Sequence, residues 1–137
     1  MERTRELSDE LTGRPVLRLP RFDDVSVHSY YSKHNFSSDN RFTAVASCPL
    51  AGPNVDDRSV TVPGRLDVVS FPEGESKLTI TDVPVARHAG NQYEFIPGTR
   101  KLAVHLAGGA LGIVDLDSWS VTEIAVHGEW RSVSVAD

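Results

Sequence analysis

The chain is short of nearly every residue type and pattern that announces a chemistry. Cysteine occurs once, as Cys48, which excludes an internal disulfide and argues against a cysteine-built metal cluster. A lone thiol of this kind is expected as a small packed residue at a strand end. Positive charge is scarce: 14 Lys and Arg stand against 19 Asp and Glu, a formal charge of −5. That balance supplies no basic stripe for nucleic acid or an anionic membrane surface. No stretch approaches the roughly 18 apolar residues of a membrane-spanning helix. The charged opening Met-Glu-Arg-Thr-Arg-Glu-Leu-Ser-Asp-Glu lacks the apolar centre of a signal peptide. A cytoplasmic protein with no nucleic-acid and no membrane partner is the expectation. Phosphate-cradling and nucleophile-elbow glycine motifs are missing too. The segment Ala107-Gly-Gly-Ala-Leu-Gly112 approaches a dinucleotide fingerprint, but alanine stands where the first glycine belongs, and a strand follows instead of a helix.

What the chain does contain is strand signal. Short runs of Val, Ile, Thr and aromatics recur between clusters of Gly, Pro, Asp and Asn. Residues 1–12 could make a helical turn or two before Gly13 and Pro15 end it, and 15–19 then reads as a strand. After an acidic connection through Asp23 and Asp24, residues 25–36 resume an extended pattern. Ser37-Ser-Asp-Asn40 supplies turn chemistry, and Phe42 returns as an antiparallel partner.

Two stretches say the same thing. Phe36-Ser-Ser-Asp-Asn-Arg-Phe-Thr-Ala-Val-Ala-Ser47 and Phe95-Ile-Pro-Gly-Thr-Arg-Lys-Leu-Ala-Val-His-Leu106 each read strand, polar turn, strand, 59 positions apart. The same spacing pairs Arg41 with Arg100, Ala44 with Ala103 and Val45 with Val104. Gly64-Arg-Leu-Asp-Val-Val-Ser-Phe71 matches Gly109-Ala-Leu-Gly-Ile-Val-Asp-Leu116 at 45 positions. Leu78-Thr-Ile80 and Val121-Thr-Glu-Ile124 close each copy as a fourth strand. The shortfall of 14 residues marks an insertion in the first copy, over 49–63. Repetition at this period points to stacked supersecondary units.

The pattern Phe-Ser-x-Asp-x-Arg, a strand, a glycine turn, then Leu-x-Val-Val or Ile-Val-Asp-Leu resembles WD-repeat-like β-propellers. Within them Gly13-Arg-Pro-Val-Leu-Arg-Leu-Pro20, His28-Ser-Tyr-Tyr31, Phe36-Ser-Ser-Asp39 and Val114-Asp-Leu-Asp117 are similar to the opening blades of oligogalacturonate lyases. The resemblance implies an all-β chain of two four-stranded antiparallel propeller blades plus flanking strands, a partial propeller. Residues 1–20 form an N-terminal segment ending in an outer strand, 21–81 a first blade with the inserted loop 49–63, 82–125 a second blade, and 126–137 the start of a further one. Two blades do not close a ring of 4–8, so a homo-oligomer or a longer chain is expected. The family's catalytic base and histidine-rich metal site come from later blades. No catalytic residue, metal ligand or cofactor is therefore assigned here, and any activity would be that of a polysaccharide lyase.

In a propeller the first strand of each blade lines the channel, and the loops into it share one rim. The first copy brings His28, Tyr30, Tyr31, Lys33 and His34 there, and the second brings Arg87, His88, Asn91, Gln92 and Tyr93. Aromatic rings suit apolar sugar faces, and Arg and Lys pair with uronate-type anions. His28 and His34 share a strand face, but six steps of about 3.3 Å put them about 20 Å apart, too far to hold one ion. Asp23-Asp24 and Asp56-Asp57 lack the alternating oxygen spacing of a calcium loop. Trp119 and Trp130 read as packing between blades. The functional expectation is a binding scaffold for a small anionic carbohydrate, with a non-catalytic protein-interaction module and a protein partner as the alternative.

Overall fold

A computed structural model describes residues 5–18, 25–27, 34–49, 61–86 and 93–124. Their backbone is dominated by antiparallel strands, as the β-rich composition predicts. The helical content among them is one 3-10 turn at Ala107–Gly109. Strands β1 (Arg5–Ser8) and β2 (Pro15–Arg18) form a hairpin of their own. Strands β3 (Val25–Val27), β4 (Phe42–Cys48), β5 (Thr61–Ser70) and β6 (Ser76–Ala86) form a four-stranded sheet in that order. A second four-stranded sheet runs in order through β7 (Tyr93–Ile96), β8 (Lys101–His105), β9 (Leu111–Asp115) and β10 (Val121–Ile124). Both are plain meanders, each strand pairing with the next in sequence.

The two spacings read from the sequence reappear as strand register. Thr43, Ala44, Val45 and Ala46 face Val69, Val68, Asp67 and Leu66. Leu102, Ala103, Val104 and His105 face Val114, Ile113, Gly112 and Leu111. Each β8 residue lies 59 positions after its β4 counterpart, and each β9 residue 45 after its β5 counterpart. The turns repeat as well. The Phe71 amide donates to the Arg41 carbonyl, and the Leu116 amide to that of Arg100. Ser70 N–H donates to Glu75 O and Gly74 N–H to Ser70 O; Asp115 N–H donates to Ser120 O and Trp119 N–H to Asp115 O. The left-handed position of this turn is Gly74 (φ 73°) in the first sheet and Trp119 (φ 57°) in the second. A tryptophan there is strained, and its ring meets Phe42 of the other sheet edge-on at 5.1 Å.

The period of two along each strand sends alternate residues to one face. Ala44, Ala46, Leu66 and Val68 from the first sheet join Tyr93, Phe95, Leu102, Val104 and Val114 from the second in one buried cluster. Tyr93 spans the two, its hydroxyl donating to the Ala44 carbonyl at 2.7 Å. Gly64 lets β5 close onto its neighbours, since a Cβ there would overlap the Ser47 carbonyl and lie 2.7 Å from a Val85 methyl. Gly64→Ala is therefore expected to lower unfolding free energy by about 1–3 kcal/mol in urea titrations, the usual scale of overpacking.

Several expectations need correction. Residues 5–8 are strand β1, not a helical turn, because Leu7 and Val16 pair across a hairpin that the Asp9 turn closes. The inserted loop does not reach 63: Thr61, Val62 and Pro63 already belong to β5, paired with Ala86, Val85 and Pro84. Correspondingly β6 runs on to Ala86, past both the expected fourth strand at Leu78–Ile80 and the boundary between 81 and 82.

Candidate functional site

The chain just before the bridge from Phe36 to Thr43 meets the second sheet at His34 and Glu94. Phe95 N–H donates to the His34 carbonyl at 3.0 Å, tying the inner edge of β7 to the chain just before Phe36. The Glu94 carboxylate returns the contact: its Oε1 accepts from the His34 amide at 3.3 Å and lies 2.8 Å from the ring Nδ1. Glu94 is 2 % exposed, while the His34 side chain keeps 40 % of its surface in solvent. A buried carboxylate that orients a half-exposed imidazole fixes which ring nitrogen carries the hydrogen. It can present a polar ligand with a directed hydrogen-bonding group.

Of the residues expected to line a ligand site, His34 lies beside β7. Tyr93, grouped with them in the sequence, is a buried core residue. His28, Tyr30, Tyr31, Lys33, Arg87, His88, Asn91 and Gln92 lie outside the described residues, as do Trp130 and the pairs Asp23-Asp24 and Asp56-Asp57. Glu94 was missed. Its signal was an acid between Tyr93 and Phe95, where strand alternation turns it away from their apolar face.

Two further polar groupings stand out among the described residues. On the first sheet, Asp67 is fully buried and accepts from Arg65 Nε at 2.7 Å, Arg65 Nη2 at 2.6 Å and Thr79 Oγ1 at 2.6 Å. At the turn ends, Arg100 bridges Asp39 of the first sheet at 2.5 Å and Asp117 of its own at 2.6 Å. Its guanidinium also lies over the Phe42 ring, 5.9 Å from the centroid. A shallow groove of about 400 Å³ opens beside it, lined by Arg41, Phe42, Phe71, Lys77, Asp117 and Trp119 among others. His105 closes β8 largely buried, which pushes its pKa down. Asp9 is held below the usual carboxylate range chiefly by the Thr12 hydroxyl, and Asp115 by the Ser118 amide.

The Ser37 hydroxyl, followed by the Arg41 amide and the Arg100 guanidinium, holds Asp39 down at about 2 against the opposing effect of burial. A carboxyl whose folded pKa is depressed contributes stability above its unfolded value of about 3.9 and loses that contribution as pH falls through the folded value. The Asp39 turn should stay formed at pH 4 and titrate near pH 2, read from the Asp39 carboxyl carbon by NMR. A midpoint near 4 would show that the Ser37 and Arg100 contacts are not made in solution.

No family model, curated protein or solved structure matches this chain. The site's chemistry therefore rests on its own residues. Among the described residues, no three His, Cys, Asp or Glu side chains converge as metal ligands, and no helix is long and apolar enough to cross a membrane.

Proposed function

We propose that the two sheets are consecutive β-propeller blades and that the chain is a binding scaffold for a small anionic carbohydrate. The observation that carries this reading is the contact of His34 with Glu94 and Phe95. It joins residue 34, just before the single bridge at Phe36, to β7 of the second sheet, and each of these points is preceded in sequence by one of the two polar segments, 28–33 and 87–92. His34 is then a ligand hydrogen-bonding group, oriented by Glu94. On this reading the ring faces, cations and amides come from His28, Tyr30, Tyr31 and Lys33, which precede His34 in sequence, and from Arg87, His88, Asn91 and Gln92, which precede Tyr93. Lyase chemistry of the oligogalacturonate-lyase type would need groups from further blades, and no catalytic step is assigned to this chain.

The test is titration of the purified protein with oligogalacturonate by calorimetry, with and without Ca²⁺ or Mn²⁺. Saturable binding weakened about tenfold by His34→Ala, the order of one hydrogen bond to a charged partner, is expected. Absence of binding under every condition defeats the carbohydrate reading. A second reading, a protein-interaction module, is favoured by β10, whose four residues are all exposed, Val121 and Ile124 included. An apolar outer strand of that kind is a ready edge for another chain. Failure to bind oligogalacturonate, together with mass-dependent association lost in a Val121→Lys, Ile124→Lys variant, would favour it.

A further inference from the structure

The N-terminal hairpin repeats the turn backbone bonds of the outer half of both sheets. Asp9 N–H donates to Arg14 O at 2.9 Å, and Gly13 N–H to Asp9 O at 2.8 Å. These are the bonds made by Asp115 with Ser120 and Trp119, and by Ser70 with Glu75 and Gly74. The side chain repeats too: Asp9 Oδ1 accepts from the amides of Leu11 and Thr12 at 3.2 and 2.6 Å, and Asp115 Oδ1 from those of Asp117 and Ser118, both at 2.9 Å. Gly13 takes φ 67° where Gly74 takes 73° and Trp119 takes 57°. Strands β1 and β2 are therefore the counterparts of β5 and β6, and of β9 and β10.

In both complete sheets the third strand is covered on its inner edge by the second, β4 on β5 and β8 on β9. Among the described residues β1 pairs with β2 alone. Because Asp9 and Arg14 are a hydrogen-bonded pair, antiparallel alternation makes Leu7 and Val16 the next such pair, and it points the N–H and C=O of Glu6 and Ser8 away from β2. Pro15, opposite Ser8, fits this arrangement, since it has no N–H to give. Glu10 occupies the position of Phe71 and Leu116, whose amides donate to the carbonyls of Arg41 and Arg100. No described residue accepts from the Glu10 amide. A two-stranded hairpin with Leu7 and Val16 nearly half exposed is marginal in water without further strands.

We propose that the free edge of β1 is a docking site for an extended segment of the β4 and β8 type, supplied by another polypeptide and added antiparallel to Arg5–Ser8. The segment carries Arg-x-x-Ala-Val, the pattern common to Arg41–Val45 and Arg100–Val104. Its arginine carbonyl accepts from the Glu10 amide, and its next inward-facing groups pair with Ser8 and Glu6. The chain's own β4 and β8 are unavailable, each being paired on both sides. Backbone bonds give such strand addition its affinity. The inference concerns residues other than those of the ligand site and stands without it.

The experiment adds a peptide of sequence Thr-Arg-Lys-Leu-Ala-Val-His-Leu, matching residues 99–106, to the full chain and follows amide exchange by NMR. Exchange at Glu6, Ser8 and Glu10 is expected to slow at least about tenfold, the least that a newly formed hydrogen-bonded strand pair should give, while a scrambled peptide has no effect. Ser8→Pro should abolish the response while leaving the Leu7 and Asp9 amides protected, since position 8 gives β2 no N–H. Methylating the peptide amides equivalent to Leu102 and Val104 should abolish it with the protein unchanged. No slowing at saturating peptide, slowing elsewhere only, undiminished slowing with the methylated peptide, or protection of all three amides before peptide is added would each overturn the proposal.

Discussion

Phe95→Ala is expected to lower the free energy of unfolding by about 3–5 kcal/mol, the usual cost of removing a buried ring together with the cavity it leaves. The urea midpoint should fall accordingly, with the slope unchanged if both sheets still unfold together. Phe95 is 1 % exposed and belongs to the cluster built from both sheets. Its own amide holds the His34 carbonyl. The substitution leaves that backbone bond in place and empties the space that the ring fills in the shared cluster. Truncating Ile113, the partner of Ala103 on β9, should cost less, because that residue is only partly buried. Equal losses at the two positions would mean that the sheets do not bury Phe95 between them.

Arg65→Met should be almost as damaging, at about 3–5 kcal/mol, the range for stranding a buried charge. Asp67 has no exposed surface, and Arg65 grips it through two nitrogens while Thr79 adds a hydroxyl. Methionine keeps much of the stem's volume but leaves the carboxylate with one of these three donors. The double change Arg65→Met, Asp67→Leu removes the uncompensated charge and should recover most of the loss. If the single and double variants unfold at the same denaturant concentration, burial of an unpaired carboxylate is not what the single substitution costs.

The architecture was legible because it is written in register. Paired positions such as Ala44 with Ala103 and Val68 with Ile113 occupy the same sites on β4 and β8, and on β5 and β9, so two constant spacings sufficed to align whole sheets. The first hairpin was harder to read. Its turn Asp9-Glu-Leu-Thr-Gly13 has the residue types of the repeat, but Trp119 replaces the glycine in one sister copy and Ser70 replaces the aspartate in the other. A chain start rich in Glu and Arg also carries helix propensity that hairpin pairing overrides. The limits of β5 and β6 were missed for a similar reason: Pro63 read as the end of the inserted loop, yet it faces Pro84 across this pair, where each missing N–H is tolerated. At the candidate site, His34 stood out in the sequence as a polar residue shortly before Phe36. Glu94 was not, because a buried acid between two aromatics carries no motif of its own.

The central claim is that one strand unit is used twice in full, with a common register, and a third time by half. Cross-strand Hα–Hα contacts measured by NMR test it most directly, since they appear between residues of non-hydrogen-bonded pairs, whose Cα atoms lie about 4.5 Å apart. The bonds from Phe71 to Arg41 and from Leu116 to Arg100 place Ala44 opposite Val68 and Ala103 opposite Ile113 in such pairs. The account predicts strong contacts for both, with Ser8 to Pro15 in the hairpin as the third. Contacts displaced by a residue in either sheet, so that the spacings of 59 and 45 no longer relate them, would contradict it.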